Sequence, residues 1–235
     1  MKQEKQRIEE LDALRGICIL GMLAVHFCFD LYYFGGIIPA FPRWFEVMGQ
    51  DGHLLFILIS GVCVTLGSHS FRRGILVFGG GLLVSYVTLF LDLVLGMENL
   101  RIWFGILHLL GISMMLWPLF RRLPAWALGA LGAGMILLGW YFAGLTVDMG
   151  FLFPLGLCSD SVFAGSDFFP LFPGLGWFLT GAFLGKTIYK HQKSLLPRVP
   201  WENPVLRFFC ACGRHSLEIY LLHQPILALA VLLIF

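Results

Sequence analysis

Charge is what this chain has least of. Only 13% of its 235 residues are Asp, Glu, Lys or Arg, about half the ~25% share of a typical soluble domain. A metal-binding cysteine pattern is missing too: Cys210 and Cys212 flank a single residue, which is not the spacing of a zinc knuckle. Cys18, Cys28, Cys63 and Cys158 fall in or beside apolar segments and read as small buried hydrophobes. There is no low-complexity tract and no long internal repeat, inverted or direct. A cleavable signal peptide is not expected, because Asp12 and Arg15 interrupt the apolar run after the basic start MKQEKQR and no small-residue cleavage site follows.

What is present is apolar length. Hydrophobic residues make up 58% of the chain and gather into runs long enough to cross a bilayer. The expected class is an all-α integral membrane protein, a polytopic bundle of about seven spans in one domain covering residues 1–235. The spans are read at 11–33, 52–68, 74–95, 102–120, 125–144, 172–188 and 214–235. Residues 1–10 read as an interfacial lead-in and 205–212 as a short in-plane segment before the last span. Pro39 and Pro42 break the loop at 35–50. The loop at 145–170 holds Asp148, Asp160 and Asp167 without Lys or Arg, and a re-entrant piece within it is left open. Gly79-Gly80-Gly81, and Gly181 with Gly185, let neighbouring helices approach closely.

The few basic residues set an orientation. With the N-terminus in the cytoplasm, only Arg43 and Arg101 of the 16 Lys and Arg fall on the outer side. The other fourteen, among them Arg15, Arg72, Arg73, Arg121, Arg122, Lys186 and Arg214, fall inside. That asymmetry is a positive-inside signal, and it fits an odd number of spans with the C-terminus outside. The expected location is the cell membrane, in multi-pass form.

Within the first span, 11–33, four groups break the apolar pattern: Asp12, Arg15, His26 and Asp30. Ionisable groups inside a span are costly and mark functional paths or wet cavities. Arg15 and His26 are eleven residues apart, about three turns or roughly 16 Å along one helix face. Asp30 stands one turn beyond His26 on that face. Arg15 lies towards the inner surface and the His26–Asp30 pair towards the outer. His53, His108 and His223, from three other spans, are candidates to face the same cavity.

Each residue also has a plainer reading. Asp12 and Arg15 can form an ion pair at the helix start. His26 and Asp30 can be interhelical packing polarity. His53 can cap a helix mouth, and His108 can be a satisfied core histidine. Ser216, Tyr220 and His223 line one face of the last span, as a site wall or as packing polarity. Trp177 and the outer-loop phenylalanines read as interface anchors or sugar platforms.

Arg15 and His26 resemble the Arg-(ten residues)-His signature of the membrane acyltransferase-three family. The fuller match is carried by RIEELDALRGICILGMLAVHFCFDLYYF, LLFILISGV (54–62), FGILHLLG (104–111), PLFPGLGWFLTGAFLGK (170–186) and GRHSLEIYLLHQPIL (213–227). These segments resemble the heparan-alpha-glucosaminide N-acetyltransferase catalytic-domain family in its small bacterial form. The resemblance implies transfer of an acetyl or other acyl group from cytoplasmic acyl-CoA, acetyl-CoA first, to an amine or hydroxyl of an extracytoplasmic sugar or small molecule. On that reading His26 and Asp30 are the base or nucleophile pair, the carboxylate fixing the imidazole tautomer and stabilising its imidazolium. Arg15, Asp12, Arg72 and Arg214 are placed at the donor, no metal is required, and His53, Ser60, His108, Trp177, Ser216, Tyr220, His223 and Gln224 line or support the acceptor side. The expected partners are acyl-CoA, the acceptor and the lipid bilayer, not nucleic acid; a homodimer is left open. The rival reading is a proton-coupled transporter or flippase using His26 and Asp30 as a relay.

Overall fold

A computed structural model describes residues 7–33, 36, 43–95, 101–145, 147, 150–157 and 167–234. Pro39, Pro42, Asp148, Cys158 and Asp160 lie outside the described residues, as does much of the loop at 145–170 that was open to a re-entrant piece. Among the described residues every regular element is helical. The chain packs as two units, one of residues 1–59 with 189–235 and one of residues 60–188.

The first unit is built on α1 (Glu9–Tyr33), with the first part of α2 (Arg43–Leu66), α7 (Pro204–Arg214) and α8 (Ser216–Ile234). Acidic residues fill the first turn of α1, where the helix dipole favours them. One of them, Glu10, is buried and accepts hydrogen bonds from Ser194 Oγ (2.8 Å) and the Leu195 N–H (2.7 Å), which ties the basic 186–203 loop to the helix. Asp12 meets Arg7 at 3.0 Å, so the ion pair of this helix start is made backwards to Arg7 and not forwards to Arg15. Side chains on a helix lean towards its N-terminus, and Asp12 follows that lean.

The expected last span, 214–235, and the short segment read before it at 205–212 are separate helices, α8 and α7. Asn203 accepts from the Val205 N–H at 2.9 Å and Pro204 occupies the first turn, so a separate helix, α7, starts there. His215 leaves helical geometry (φ −102°, ψ 25°), and α8 begins at Ser216. The α1–α7 crossing is almost bare backbone. A Cβ on Gly213 would sit 1.8 Å from the Asp12 carbonyl oxygen, and one on Gly16 would sit 2.0 Å from that of Phe209.

The second unit holds the end of α2, then α3 (Ser70–Leu95), α4 (Ile106–Phe120), α5 (Ala125–Ala143), a 3₁₀ turn (Gly150–Leu155) and α6 (Leu171–Thr187). Neighbours pair as α3 with α4 and α5 with α6. Glycine makes these contacts too: Gly61 lies against Phe178, Gly185 against Val62 and Thr65, and Gly132 against Gly176 and Thr180. Hydrocarbon gives apolar helices no reason to leave lipid, so close van der Waals approach at small residues has to hold such pairs together. In the glycine run of α3 it is Gly81 that meets a neighbour, His108, whereas Gly79 faces open space.

Lys186 at the end of α6 donates to the Arg121 and Leu123 carbonyls (2.7 and 2.6 Å), which the end of α4 leaves without helical partners. α4 starts four residues later than the sequence suggests. Ser85 and Thr88 of α3 hydrogen-bond the backbone of Ile102, and Asp92 pairs with Arg101, so 101–105 is pinned outside the helix.

Three helical stretches, Glu9–Tyr32, Ser70–Val94 and Ala125–Ala143, are long and apolar enough to cross a membrane. Gly52–Leu66, Ile106–Phe120 and Ser216–Val231 are shorter apolar helices. α3 carries apolar side chains all round and exposes Leu76, Leu83, Phe90 and Leu93, a surface suited to lipid rather than water.

Candidate functional site

In the first unit α1 and α8 meet along a polar seam. Arg15 Nη2 donates to Ser216 Oγ at 2.6 Å. Further along, the His26 and His223 rings stand 4.7 Å apart and nearly perpendicular, at 87°. Beyond them Gln224 Nε2 donates to Asp30 Oδ1 at 2.8 Å. The partners ascend together, 15 with 216, 26 with 223 and 30 with 224, so the two helices run parallel. Tyr220 packs on His223 with ring centroids 5.3 Å apart.

Backbone carbonyls fix both imidazoles. His26 Nδ1 lies 3.0 Å from the Met22 carbonyl and His223 Nδ1 lies 2.5 Å from that of Tyr220. A carbonyl only accepts, so in each neutral ring Nδ1 carries the hydrogen and Nε2 keeps a lone pair. This corrects one expectation: Asp30 does not set the tautomer of His26. The imidazole leans back one turn to Met22, as helix side chains do, and Asp30 is taken up by Gln224 from α8.

The seam is short of donors. Asp30 Oδ2, Gln224 Oε1 and His223 Nε2 are buried without a hydrogen-bond partner, and Asp30 is fully buried. All three accept. At the other end Arg15 Nε is a buried donor without a partner. Buried polar atoms are normally satisfied, so such a group calls for a ligand or a chemical task. The seam can therefore take up an anion at Arg15, and an N–H or O–H group beside His26, His223 and Asp30.

Cys210 on α7 does not offer a nucleophile. Burial, reinforced by Glu9 and Asp12, pushes the Cys210 thiol pKa up, and its Sγ lies 3.5 Å from the Glu9 carbonyl. Among the described residues no cluster of three or more His, Cys, Asp and Glu is placed to hold a metal ion.

The other expected residues are placed as follows. Asp12 binds Arg7, Arg214 is exposed with Nε on the Cys210 carbonyl at 3.1 Å, and His53 is half-buried on α2. In the second unit Ser60 is buried, Trp177 is half-buried on α6, and Arg72 is exposed at the start of α3. His108 is engaged in building α4. Its Nδ1 accepts the Gly105 N–H at 3.2 Å, and its ring stacks on Phe104 and stands edge-on to Phe78. Its Nε2 lies 3.5 Å from Ser85 Oγ. That is the opposite tautomer to His26 and His223, with neither nitrogen bare. The sequence singled out Gln224 without its partner, and it carried no sign that Met22 orients His26, because a backbone carbonyl has no residue signature.

Gln224→Leu keeps the volume but leaves both Asp30 oxygens without a donor. The expected result is a loss of about 1–3 kcal/mol, read as an earlier thermal midpoint in detergent, with Gln224→Glu failing to restore it. An unchanged midpoint would mean that the Gln224–Asp30 bond is not made.

Comparison with known proteins adds the family. No curated protein and no solved structure matches this chain. The model of the family described as "Heparan-alpha-glucosaminide N-acetyltransferase, catalytic" matches residues 7–225, from the lead-in of α1 to the His223–Gln224 end of the seam. Since that match takes in nearly the whole chain and every part of the polar seam, this protein belongs to the heparan-alpha-glucosaminide N-acetyltransferase catalytic family.

Proposed function

We propose that this membrane acyltransferase carries an acetyl group from cytoplasmic acetyl-CoA to an amine or hydroxyl of an extracytoplasmic sugar or small molecule, with His26 and Asp30 at the reacting end. The observation that carries this reading is the α1–α8 seam. It has a partner-short guanidinium at one end and bare imidazole nitrogens at the other, about three helical turns away. That length is comparable to a pantetheine arm. Arg15 suits the CoA phosphates, which guanidinium binds through paired charged hydrogen bonds. His26 Nε2 suits either removal of the acceptor's proton or attack on the thioester. Asp30 stabilises the imidazolium from one turn away, and the apolar surround keeps water from the thioester.

The parallel run of α1 and α8 supports entry from the same side, hence an even number of crossings between their starts and an odd number in all. With the basic residues on that side, the N-terminus is cytoplasmic, the C-terminus is outside and about seven spans form the bundle.

The test is donor binding. Acetyl-CoA at a hundred times its Kd stabilises the folded protein by about 2.7 kcal/mol, visible as a raised thermal midpoint. Arg15→Ala is expected to raise the KM for acetyl-CoA roughly 10- to 100-fold with kcat little changed, the loss of one or two charged hydrogen bonds. A fall in kcat alone, with donor KM and donor stabilisation intact, would remove Arg15 from the donor site.

A further inference from the structure

We propose that His223 is a second catalytic base, dividing the work with His26: His26 Nε2 carries the acyl group while His223 Nε2 takes the proton from the attacking acceptor. The proposal rests on the acyltransferase reading and goes beyond it, since that reading needs only one imidazole.

Three observations on α8 carry it. His223 is 6% exposed, and its Nε2 has no partner. Its Nδ1–H is held on the Tyr220 carbonyl, so the bare atom is a base with its ring fixed. The ring centroid lies 4.7 Å from that of His26, so a group carried by one imidazole is within reach of the other. A histidine used only for packing is expected to engage both nitrogens, as His108 does in α4. His26 cannot do both tasks at once, because an Nε2 bonded to an acyl carbon has no lone pair for a proton. Asp30 stands one turn beyond His26, held through Oδ1 by Gln224, the residue next to His223, with Oδ2 left to stabilise the imidazolium.

The steps balance. His26 Nε2 attacks the thioester carbonyl, the N–C bond forms, and the C–S bond breaks to release CoA thiolate. The acceptor's amine or hydroxyl then attacks the same carbon. His223 Nε2 takes its proton, the bond to His26 breaks, and His26 returns to the neutral ring. His223 passes the proton to solvent, from which the CoA thiolate gains one. The sum is acyl-CoA plus acceptor giving acylated acceptor plus CoA.

The experiment uses the full chain in nanodiscs with acetyl-labelled acetyl-CoA, with and without glucosamine as the amine probe. His223→Ala is expected to take label onto the protein as wild type does when glucosamine is absent. Its transfer to glucosamine is expected to fall about 10²-fold or more, with partial recovery on adding free imidazole. His223→Gln, which fills the space and keeps hydrogen-bonding capacity, is expected to show the same loss without recovery, and it stands in if the alanine variant does not fold. Transfer within a few-fold of wild type in either variant overturns the proposal. So does loss of the protein-bound label together with transfer, and so does a wild type that transfers label but never carries it. A wild type that neither carries nor transfers label overturns the acyltransferase reading itself, a separate result.

Discussion

His26→Ala is expected to lose acetyl transfer by at least about 10²-fold while keeping the heat stabilisation that acetyl-CoA gives the wild type. His26 is half-buried, its Nδ1 is committed to Met22, and its Nε2 is the lone pair that faces chemistry. Removing the ring removes that lone pair but leaves Arg15 and Ser216, about three turns away, untouched. Donor binding and turnover should therefore separate. His26→Gln should fare no better in turnover, since an amide supplies neither a base nor a nucleophile. If both variants transfer acetyl at wild-type rates, the seam is not the reacting centre. If donor stabilisation disappears along with turnover, Arg15 and His26 do not act as two ends of one path.

Gly213→Ala has the largest expected structural effect. A Cβ there would lie 1.8 Å from the Asp12 carbonyl oxygen, backbone that cannot move aside without parting α7 from α1. Overpacking of an ordinary core costs about 1–3 kcal/mol, and a contact against backbone belongs at or above the upper end. Gly16→Ala opens the same crossing from the other side, against the Phe209 carbonyl. The two changes should therefore be strongly non-additive: once one has parted the helices, the second adds little. Gly79→Ala and Gly134→Ala are the controls, because nothing lies within 4 Å of a Cβ at either site. They should be neutral or gain up to about 1 kcal/mol from helix propensity. Thermal midpoints of the purified variants check all four. A Gly213→Ala protein as stable as its Gly79→Ala control would contradict the α1–α7 packing.

Much of this arrangement was legible before any coordinates. The helical spans follow from apolar length, and most observed helices start or stop within a few residues of where composition places them. The misses have local causes. α4 starts late because Asp92, Thr88 and Ser85 on α3 hold 101–102 from a distance that no local pattern encodes. α2 begins at Arg43, inside the stretch 35–50 read as a loop, whereas the short segment read at 205–212 is there as α7 and parts from α8 at His215. Arg15, His26, Asp30 and His223 stood out because each is a polar group where apolar ones belong. Their pairing did not, since it depends on α1 and α8 lying parallel in contact. The expected Asp12–Arg15 pair and the expected tautomer role of Asp30 both came from spacing on one helix, and both gave way to partners that spacing could not rank: Arg7 for Asp12, Gln224 for Asp30.

The proposed path carries the acyl group along α1, from Arg15 on one side of the membrane to His26 near the other. Sealed proteoliposomes with glucosamine trapped inside and labelled acetyl-CoA added only outside test it most directly. Labelled acetylglucosamine is expected inside the vesicles, made by the protein molecules whose Arg15 end faces out and reduced about 10²-fold or more by His26→Ala. Label appearing only when donor and acceptor share one side, or glucosamine leaving unmodified, would contradict it.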